Sequence, residues 1–127
     1  MTPANHYRLL VVDDDEAVLE ILEECFEDEG YGVATAQSGR EAVNVIAKGH
    51  IDLVLSDVRM PNGDGYFLLE SIRHEDPAIP FIFMTGFSDR TAEEALRLGA
   101  NAYFEKPVQL DKLLETIEEQ LNQAYRR

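Results

Sequence analysis

The sequence has little cysteine, little positive charge and no long apolar run, and each shortage excludes a class of protein. Its single cysteine, Cys25, cannot pair within the chain, and its position in a helical apolar pattern favours a small core residue over a reactive thiol. No apolar run approaches the roughly 20 residues of a membrane span, and the polar start, residues 1–6, has no signal-peptide character. We therefore expect a cytoplasmic protein that folds without disulfides and does not contact a membrane.

Negative charge dominates the composition. Asp and Glu number 25 against 11 Lys and Arg, which gives a formal net charge of -14 at pH 7. Binding to nucleic acid by counterion release needs a basic face, so we expect no direct nucleic-acid binding by this segment.

The length of 127 residues suits one domain with a real core, and no linker, repeat or low-complexity tract divides it.

Short apolar runs alternate with longer stretches of helical spacing. The runs predict five strands, over residues 7–12, 31–36, 51–55, 80–85 and 101–104. Helices are predicted between them, and these end at Gly30, at Gly49, before Pro77 and at Gly99; a fifth helix follows the last strand. The alternation predicts an α/β fold with a five-stranded parallel sheet and helices on both faces.

Local signals add detail to the helices. In the first helix the spacing predicts an apolar face made of Ala17, Val18, Ile21, Leu22, Cys25 and Phe26. Leu19 fits this face less well. Two sites have capping-box spacing, Ser38 with Glu41 and Thr91 with Glu94. The predicted apolar face of the last helix consists of Leu110, Leu113, Leu114, Ile117 and Leu121.

Polar side chains lie at or just after the ends of four of the predicted strands. Asp13 and Asp14 follow the first strand, Asp57 follows the third, Thr85 ends the fourth and Lys106 comes just after the fifth. Ligands of open parallel sheets bind beyond the carboxyl ends of the strands, where the strand order reverses. Singly, each group has a plain structural role as a solvated acid, a strand terminus or a surface lysine. Together they favour a site at one rim.

The acidic run after the first strand divides in two. Asp15 and Glu16 are expected to open the first helix, where acids suit the unpaired amides and the dipole. Asp13, Asp14 and Asp57 could not share a pocket ionised without a compensating cation, because carboxylates about 4 Å apart repel by several kcal/mol. An all-oxygen ligand set with no histidine or cysteine nearby fits Mg²⁺ or Mn²⁺ better than Zn²⁺.

A lysine and a hydroxyl opposite such a metal ion suit a phosphoryl group, since phosphoryl transfer requires its oxygens to be neutralised on every side. One carboxylate could then act as the nucleophile and form an acyl phosphate. The three histidines, His6, His50 and His74, lie away from the strand ends. The residues therefore indicate phosphoryl chemistry at the rim.

Four motifs occur in one order: VVDDD at residues 11–15, DLVLSDVRMPNGDG at 52–65, MTG at 84–86 and YFEKP at 103–107. With them the sequence resembles the CheY-like receiver domain of two-component response regulators over residues 7–121. The resemblance implies one receiver domain spanning residues 1–127, with a core of about 7–121. It also implies a flavodoxin-like, doubly wound sheet of order 2-1-3-4-5.

The resemblance implies a role for each rim residue. Asp57 is expected to accept a phosphoryl group from a sensor histidine kinase or a phosphotransfer protein. Lys106 is expected to contact the phosphoryl oxygens, aimed by a cis peptide bond to Pro107. The expected ligands of a Mg²⁺ ion, or Mn²⁺, are Asp13, Asp14, Asp57 and the backbone carbonyl of Arg59.

By the same resemblance, Thr85 and Tyr103 form a switch. Thr85 is expected to move toward the phosphoryl group and Tyr103 to turn inward behind it, which changes the surface of helix 4, strand 5 and helix 5. That surface is expected to bind an unidentified downstream protein and could form a homodimer. Gly86, where the family more often has alanine, is expected to leave Thr85 room to move. Phe87 is expected to shield the acyl phosphate from water.

Three other interpretations remain open. A Mg²⁺-dependent phosphohydrolase that forms an aspartyl phosphate needs a second acid soon after its nucleophile, and residues 57–59 supply none. A nucleotide-binding module needs a Gly-rich loop after the first strand, where this chain has three acids. A receiver could also be a non-phosphorylated interaction scaffold. We expect a signalling domain that catalyses only its own phosphorylation and dephosphorylation, either stand-alone or as the first domain of a longer protein.

Overall fold

The computed structural model describes residues 6–86 and 90–125, in which five strands alternate with five helices. The strands are β1 Arg8–Val12, β2 Gly32–Ala36, β3 Leu53–Ser56, β4 Phe81–Thr85 and β5 Ala102–Glu105. The helices are α1 Glu16–Asp28, α2 Gly39–Lys48, α3 Gly65–Glu75, α4 Ala92–Arg97 and α5 Leu110–Tyr125. All four strand pairings are parallel, in the order β2-β1-β3-β4-β5. The predicted fold class and strand order are therefore confirmed.

The sheet separates two apolar layers. Strands β1, β3 and β4 are buried along nearly their whole length, as parallel strands covered on both faces should be. Successive side chains point to opposite faces, so Leu10 and Val12 of β1 pack with α2, α3 and α4, whereas Leu9 and Val11 pack with α1 and α5. The central strands are held between two helix layers, which fixes where their carboxyl ends lie. Among the described residues, no helix has the length and apolar character needed to cross a bilayer.

Helix α1 is rotated relative to its predicted orientation. Leu19 is 5% exposed and packs against the sheet with Leu22, whereas Ile21 is 61% exposed. Spacing alone could not determine this rotation, because two overlapping stripes of apolar residues run along the helix and either could have met the sheet. The other exposed members of the predicted apolar faces are Ala17 and Leu110.

The two predicted capping boxes differ in the structure. Thr91 and Glu94 form the complete box, with reciprocal side-chain to amide bonds of 3.1 Å each. Ser38 accepts from the N–H of Glu41 at 3.1 Å, but the Glu41 carboxylate accepts from the N–H of Gln37 at 2.8 Å. The box of Ser38 and Glu41 is therefore only half formed, because the Glu41 carboxylate binds the amide of the residue before the cap instead of the amide of Ser38.

The end of α5 is fastened at the amino ends of β1 and β3, at the end of the sheet opposite the strand-end rim. Tyr125 stacks on Tyr7 with ring centroids 5.6 Å apart, and its hydroxyl donates to the carbonyl of Asp52 at 2.8 Å. The buried Asp52 carboxylate accepts from the N–H of Arg8 at 2.8 Å and lies 2.6 Å from Nε2 of His50. Burial, together with the charge of Asp52, raises the pKa of Tyr125 to about 12.

Replacing Tyr125 with phenylalanine is expected to lower the free energy of unfolding by about 1 kcal/mol at pH 7, because one hydrogen bond to Asp52 is lost. The raised pKa of Tyr125 means that the unfolded state ionises first, so the wild type should lose stability as the pH rises from 10 to about 12. The variant should lose less. Urea denaturation followed by circular dichroism measures both effects, and equal alkaline losses in the two proteins would contradict this role.

Candidate functional site

Three aspartates meet beyond the carboxyl ends of β1 and β3. The N–H of Asp13 donates to the carbonyl of Ala36 at 3.1 Å, and the N–H of Asp57 donates to that of Val12 at 2.9 Å. The sheet hydrogen bonds thus continue one residue past the strands and hold both aspartates at the rim. One carboxylate oxygen from each of Asp13, Asp14 and Asp57 lies within 4.8 Å of the other two. Asp13 and Asp57 are 1% and 8% exposed, whereas Asp14 is exposed.

Lys106 brings a positive charge to the same rim. Its Nζ donates to Oδ2 of Asp13 at 2.9 Å and to Oδ2 of Asp57 at 3.1 Å. Its backbone N–H donates to the carbonyl of Thr85 at 2.9 Å, which continues the pairing of β4 with β5. The peptide bond between Lys106 and Pro107 is cis. The structure therefore places Asp13, Asp57 and Lys106 in direct contact, with the end of β4 alongside.

The charges at the rim are only partly balanced. Burial raises the pKa of Asp13, and the hydrogen bonds from Lys106 and from the N–H of Asp15 oppose this shift without cancelling it. Burial lowers the pKa of Lys106, but its hydrogen bonds to Asp13 and Asp57 outweigh this effect, so the net shift is upward. One ammonium group thus faces three carboxyl groups, and the site retains an excess of negative charge.

The residues at the rim fit a hard divalent cation. The ligand oxygens of an octahedral Mg²⁺, at about 2.1 Å from the ion, lie about 3 to 4 Å from each other. Carboxylate oxygens within 4.8 Å of one another need only small side-chain rotations to reach that spacing. Within residues 6–86 and 90–125 this is the one group of three metal-ligating side chains, and it contains neither histidine nor cysteine, which disfavours Zn²⁺.

The loop after Asp57 is tightly held where it leaves β3. The N–H of Val58 donates to Oδ1 of Asp57 at 2.6 Å, and the N–H of Gly65 donates to the carbonyl of Val58 at 2.8 Å. A Cβ at Gly65 would lie 2.4 Å from the carbonyl oxygen of Asp57, so only glycine lets α3 begin this close. Val58 and Met60 are buried, and the Arg59 side chain between them is exposed.

Thr85 and Tyr103 line one concavity beside the rim. Thr85 is buried at the end of β4, and the half-buried Tyr103 ring lies edge-on to Phe83 with centroids 6.4 Å apart. The remaining lining residues are Gly86, Arg90, Thr91, Ala92 and Glu105. A Cβ at Gly86 would meet only Lys106 side-chain atoms at 3.9 Å, an ordinary contact, so packing does not require glycine there. Phe87, expected to shield the acyl phosphate, lies outside the described residues.

Sequence reasoning missed an aromatic contact that reaches the loop after β4. The Arg90 guanidinium lies 4.6 Å from the centroid of the Tyr66 ring, and Tyr66 packs on Phe83 at 4.7 Å. Phe83 in turn meets Tyr103, so a row of rings links α3 to β5. No spacing rule predicts this row, because its members come from separate elements.

By contrast, Asp15 caps α1 as predicted and accepts from the N–H of Ala17 at 3.0 Å.

The strand order and the acidic rim define a doubly wound α/β protein of the flavodoxin-like type. The family model described as "Response regulator receiver domain" matches residues 9–118. The chain therefore belongs to the response regulator receiver domains, as its four motifs predicted. It is a domain of two-component signalling.

Named relatives agree with this family. The chain is 46% identical over 114 residues to the transcriptional regulatory protein ZraR of Salmonella typhimurium, a match that covers 89% of this chain and 26% of ZraR. It thus spans about a quarter of the length of the curated relatives it matches. The receiver domain protein from Methanospirillum hungatei superimposes with a TM-score of 0.86 at 36% identity, over 93% of this chain and 95% of that one.

A second solved structure is similar and was determined with a metal ion. The response regulator TrrA from Thermotoga maritima, in complex with Mg(2+)-BeF, superimposes with a TM-score of 0.83 at 31% identity. The match covers 91% of this chain and 99% of that chain.

Replacing Asp13 with asparagine is expected to raise the melting temperature of the metal-free protein at pH 7. Because the pKa of Asp13 is raised from 3.8, the native state binds its proton more tightly than the unfolded state. The cost of ionising this buried group in the native state therefore grows as the pH rises from 3.8, and the full cost is present once the pH exceeds the raised pKa. Thermal melts in EDTA from pH 7 downward measure the gain, which should shrink as the pH approaches 3.8.

Asp14→Asn is the matched control, since it removes a charge from the same rim at an exposed position. It should change the melting temperature less than Asp13→Asn does. A destabilised Asp13→Asn protein would show instead that the charge of Asp13 is well compensated by Lys106.

Proposed function

We propose that this chain is a phosphoacceptor receiver domain, spanning residues 1–127 with a core of about 7–121, whose Asp57 takes a phosphoryl group from a sensor histidine kinase or a phosphotransfer protein. The observation that carries the proposal is the contact of Asp57 with Lys106 at 3.1 Å beside a second buried aspartate, Asp13. An ammonium group held against the Asp57 carboxylate can stabilise the negative charge of a phosphoryl group that is transferred to it.

The proposed reaction replaces one bond to phosphorus with another. A carboxylate oxygen of Asp57 attacks phosphorus, the bond from phosphorus to the imidazole nitrogen of the donor breaks, and the freed imidazole takes up a proton. Lys106, now between two carboxylates, would pair with the phosphoryl oxygens. Water then hydrolyses the acyl phosphate, which releases inorganic phosphate and returns Asp57 to a free carboxylate. In both steps the only group of the protein that is altered is its own Asp57.

Metal binding is part of this proposal. Asp13, Asp14, Asp57 and the backbone carbonyl of Arg59 would hold a Mg²⁺ or Mn²⁺ ion. When bound, the ion neutralises charge on the phosphoryl oxygens that develops during transfer. The excess of carboxylates over ammonium groups at the rim and the spacing of their oxygens support this assignment.

Phosphorylation would act as a switch through Thr85 and Tyr103. Both line the same concavity, and the carbonyl of Thr85 accepts from the backbone N–H of Lys106. A phosphoryl group on Asp57 would therefore offer new acceptors to the Thr85 hydroxyl. A preference of about 5.5 kcal/mol moves a population from 1:99 to 99:1, and charge-assisted hydrogen bonds with aromatic repacking are on that scale. The responding surface would be α4, β5 and α5.

That surface is where we place the downstream partner. It would bind an unidentified protein or a second copy of this chain, and this segment itself would not bind nucleic acid. ZraR is named a transcriptional regulatory protein, so regulation of transcription by a longer protein is the output we propose.

Incubation with Mg²⁺ and a small phosphodonor should add one phosphoryl mass to the wild type and none to Asp57→Asn. The substitution keeps the shape of the side chain but removes the nucleophile. Intact-mass spectrometry measures the label. Label that persists in Asp57→Asn, or never appears in the wild type, would contradict the assignment of Asp57.

Thr85→Val is expected to uncouple the surface from phosphorylation, because it removes the hydroxyl and keeps the volume. Hydrogen exchange over residues 91–121, normalised to the phosphorylated fraction, should change on phosphorylation of the wild type and much less in the variant. Thr35→Val, the same substitution in β2, is the control and should respond like the wild type. An equal response in all three proteins would rule out Thr85 as the switch.

A further inference from the structure

The first turn of α2 is docked on the loop that follows Asp57. The N–H of Gly39 donates to the carbonyl of Gly63 at 2.7 Å, and the N–H of Arg40 donates to that of Asn62 at 3.2 Å. The first amides of a helix have no partner within the helix. In α2, two of them are satisfied by the loop, and the next, that of Glu41, by the Ser38 hydroxyl. The helix and the loop therefore complete each other's hydrogen bonding.

Only glycine permits this contact at position 39. A Cβ there would lie 2.6 Å from the carbonyl oxygen of Gly63 and 3.0 Å from that of Asp64. Both are backbone atoms, which cannot move aside as the end of a flexible side chain can. The loop is also shaped for the contact, since Asn62 and Gly63 have φ angles of 58° and 96°, in the left-handed region.

The same loop carries the backbone group expected to bind the metal ion. It leaves β3 at Asp57 and passes through Arg59 before reaching Asn62 and Gly63. Its start is fixed by the hydrogen bond from Gly65 to Val58 and by burial of the Met60 side chain. Its far side, at residues 62 and 63, is held by α2. Arg59 therefore lies between contacts that hold the loop on both sides.

We propose that Gly39 is a positioning residue for the metal site. Because it has no side chain, the first turn of α2 can hold residues 62 and 63, and this keeps the Arg59 carbonyl in line with the aspartates. Gly39 is not one of the expected metal ligands; its close contacts are with the backbone of residues 63 and 64. The inference rests on the proposed function, since the metal site itself is part of that proposal.

Gly39→Ala is expected to weaken Mg²⁺ binding about tenfold, the scale on which groups that support metal ligands act. Calorimetric titration with MgCl₂ alone, at a temperature well below the melting point of each variant, gives the dissociation constants. The Mg²⁺ concentration that gives half-maximal phosphorylation should rise by the same factor, while the rate at saturating Mg²⁺ changes less. A purely structural role would not produce this split.

Three further variants serve as controls. Arg40→Ala keeps both backbone hydrogen bonds and removes only the contact of the guanidinium with the Phe67 ring, which lies 5.0 Å away, so its Mg²⁺ affinity should match the wild type. Leu121→Ala destabilises the apolar layer on the other side of the sheet, and should lower the melting temperature without changing the affinity. Asp14→Ala removes an expected ligand and should weaken binding strongly.

A second measurement uses the unaltered protein and does not depend on Gly39→Ala folding. Coupling between two sites is reciprocal, so Mg²⁺ should slow hydrogen exchange at the amides of Gly39 and Arg40 in the wild type, as measured by NMR. The amide of Gly49, at the other end of α2, should be unaffected.

The outcomes separate the two proposals. A wild type that binds no Mg²⁺, or an Asp14→Ala protein that binds it normally, would overturn the metal site and this inference with it. If both behave as expected, but Gly39→Ala binds Mg²⁺ like the wild type or the two amides do not respond, only the role of Gly39 is overturned. Weakened binding in both Gly39→Ala and Leu121→Ala would also overturn it, because loss of stability would then explain the effect.

Discussion

One ammonium group holds the acidic rim of the sheet together. Lys106 contacts Asp13 and Asp57 at 2.9 and 3.1 Å, and without it two buried carboxyl groups would face each other uncompensated. Asp13 follows β1 and Lys106 follows β5, so the contact reaches across the ends of β3 and β4. The site therefore depends on the strand order, because another order would not bring these two residues to the same place.

Two kinds of support hold the groups at the rim. Asp13, Asp57 and Lys106 are placed by strands that are packed between helices, and their backbones extend the sheet hydrogen bonds. Arg59 belongs to the loop after β3, and that loop is held by hydrogen bonds from the first turn of α2 and from Gly65 at the start of α3. Receiver chemistry, as proposed, needs both kinds at once.

Much of this could be predicted from the sequence, and what could not has two physical causes. Continuous apolar runs identified the central strands, and the rule that ligands meet at strand ends selected Asp13, Asp57, Thr85 and Lys106. Periodicity could not choose between two rotations of α1, so Ile21 was assigned to the buried face and Leu19 was described as a poorer fit to that face than the structure shows it to be. Gly39 and the Arg90–Tyr66 contact were missed because each depends on a neighbour far along the chain, and no local pattern encodes such a distance.

The burial of Asp13 has a consequence for how the protein can evolve. A buried acid whose pKa is raised by desolvation subtracts from the stability of the native state at neutral pH. Natural proteins keep only a modest margin above the stability at which they fail, so this acid narrows the range of core substitutions that the fold tolerates. A lineage that lost the site could accumulate core changes that its signalling relatives could not survive, and those changes would then block its return.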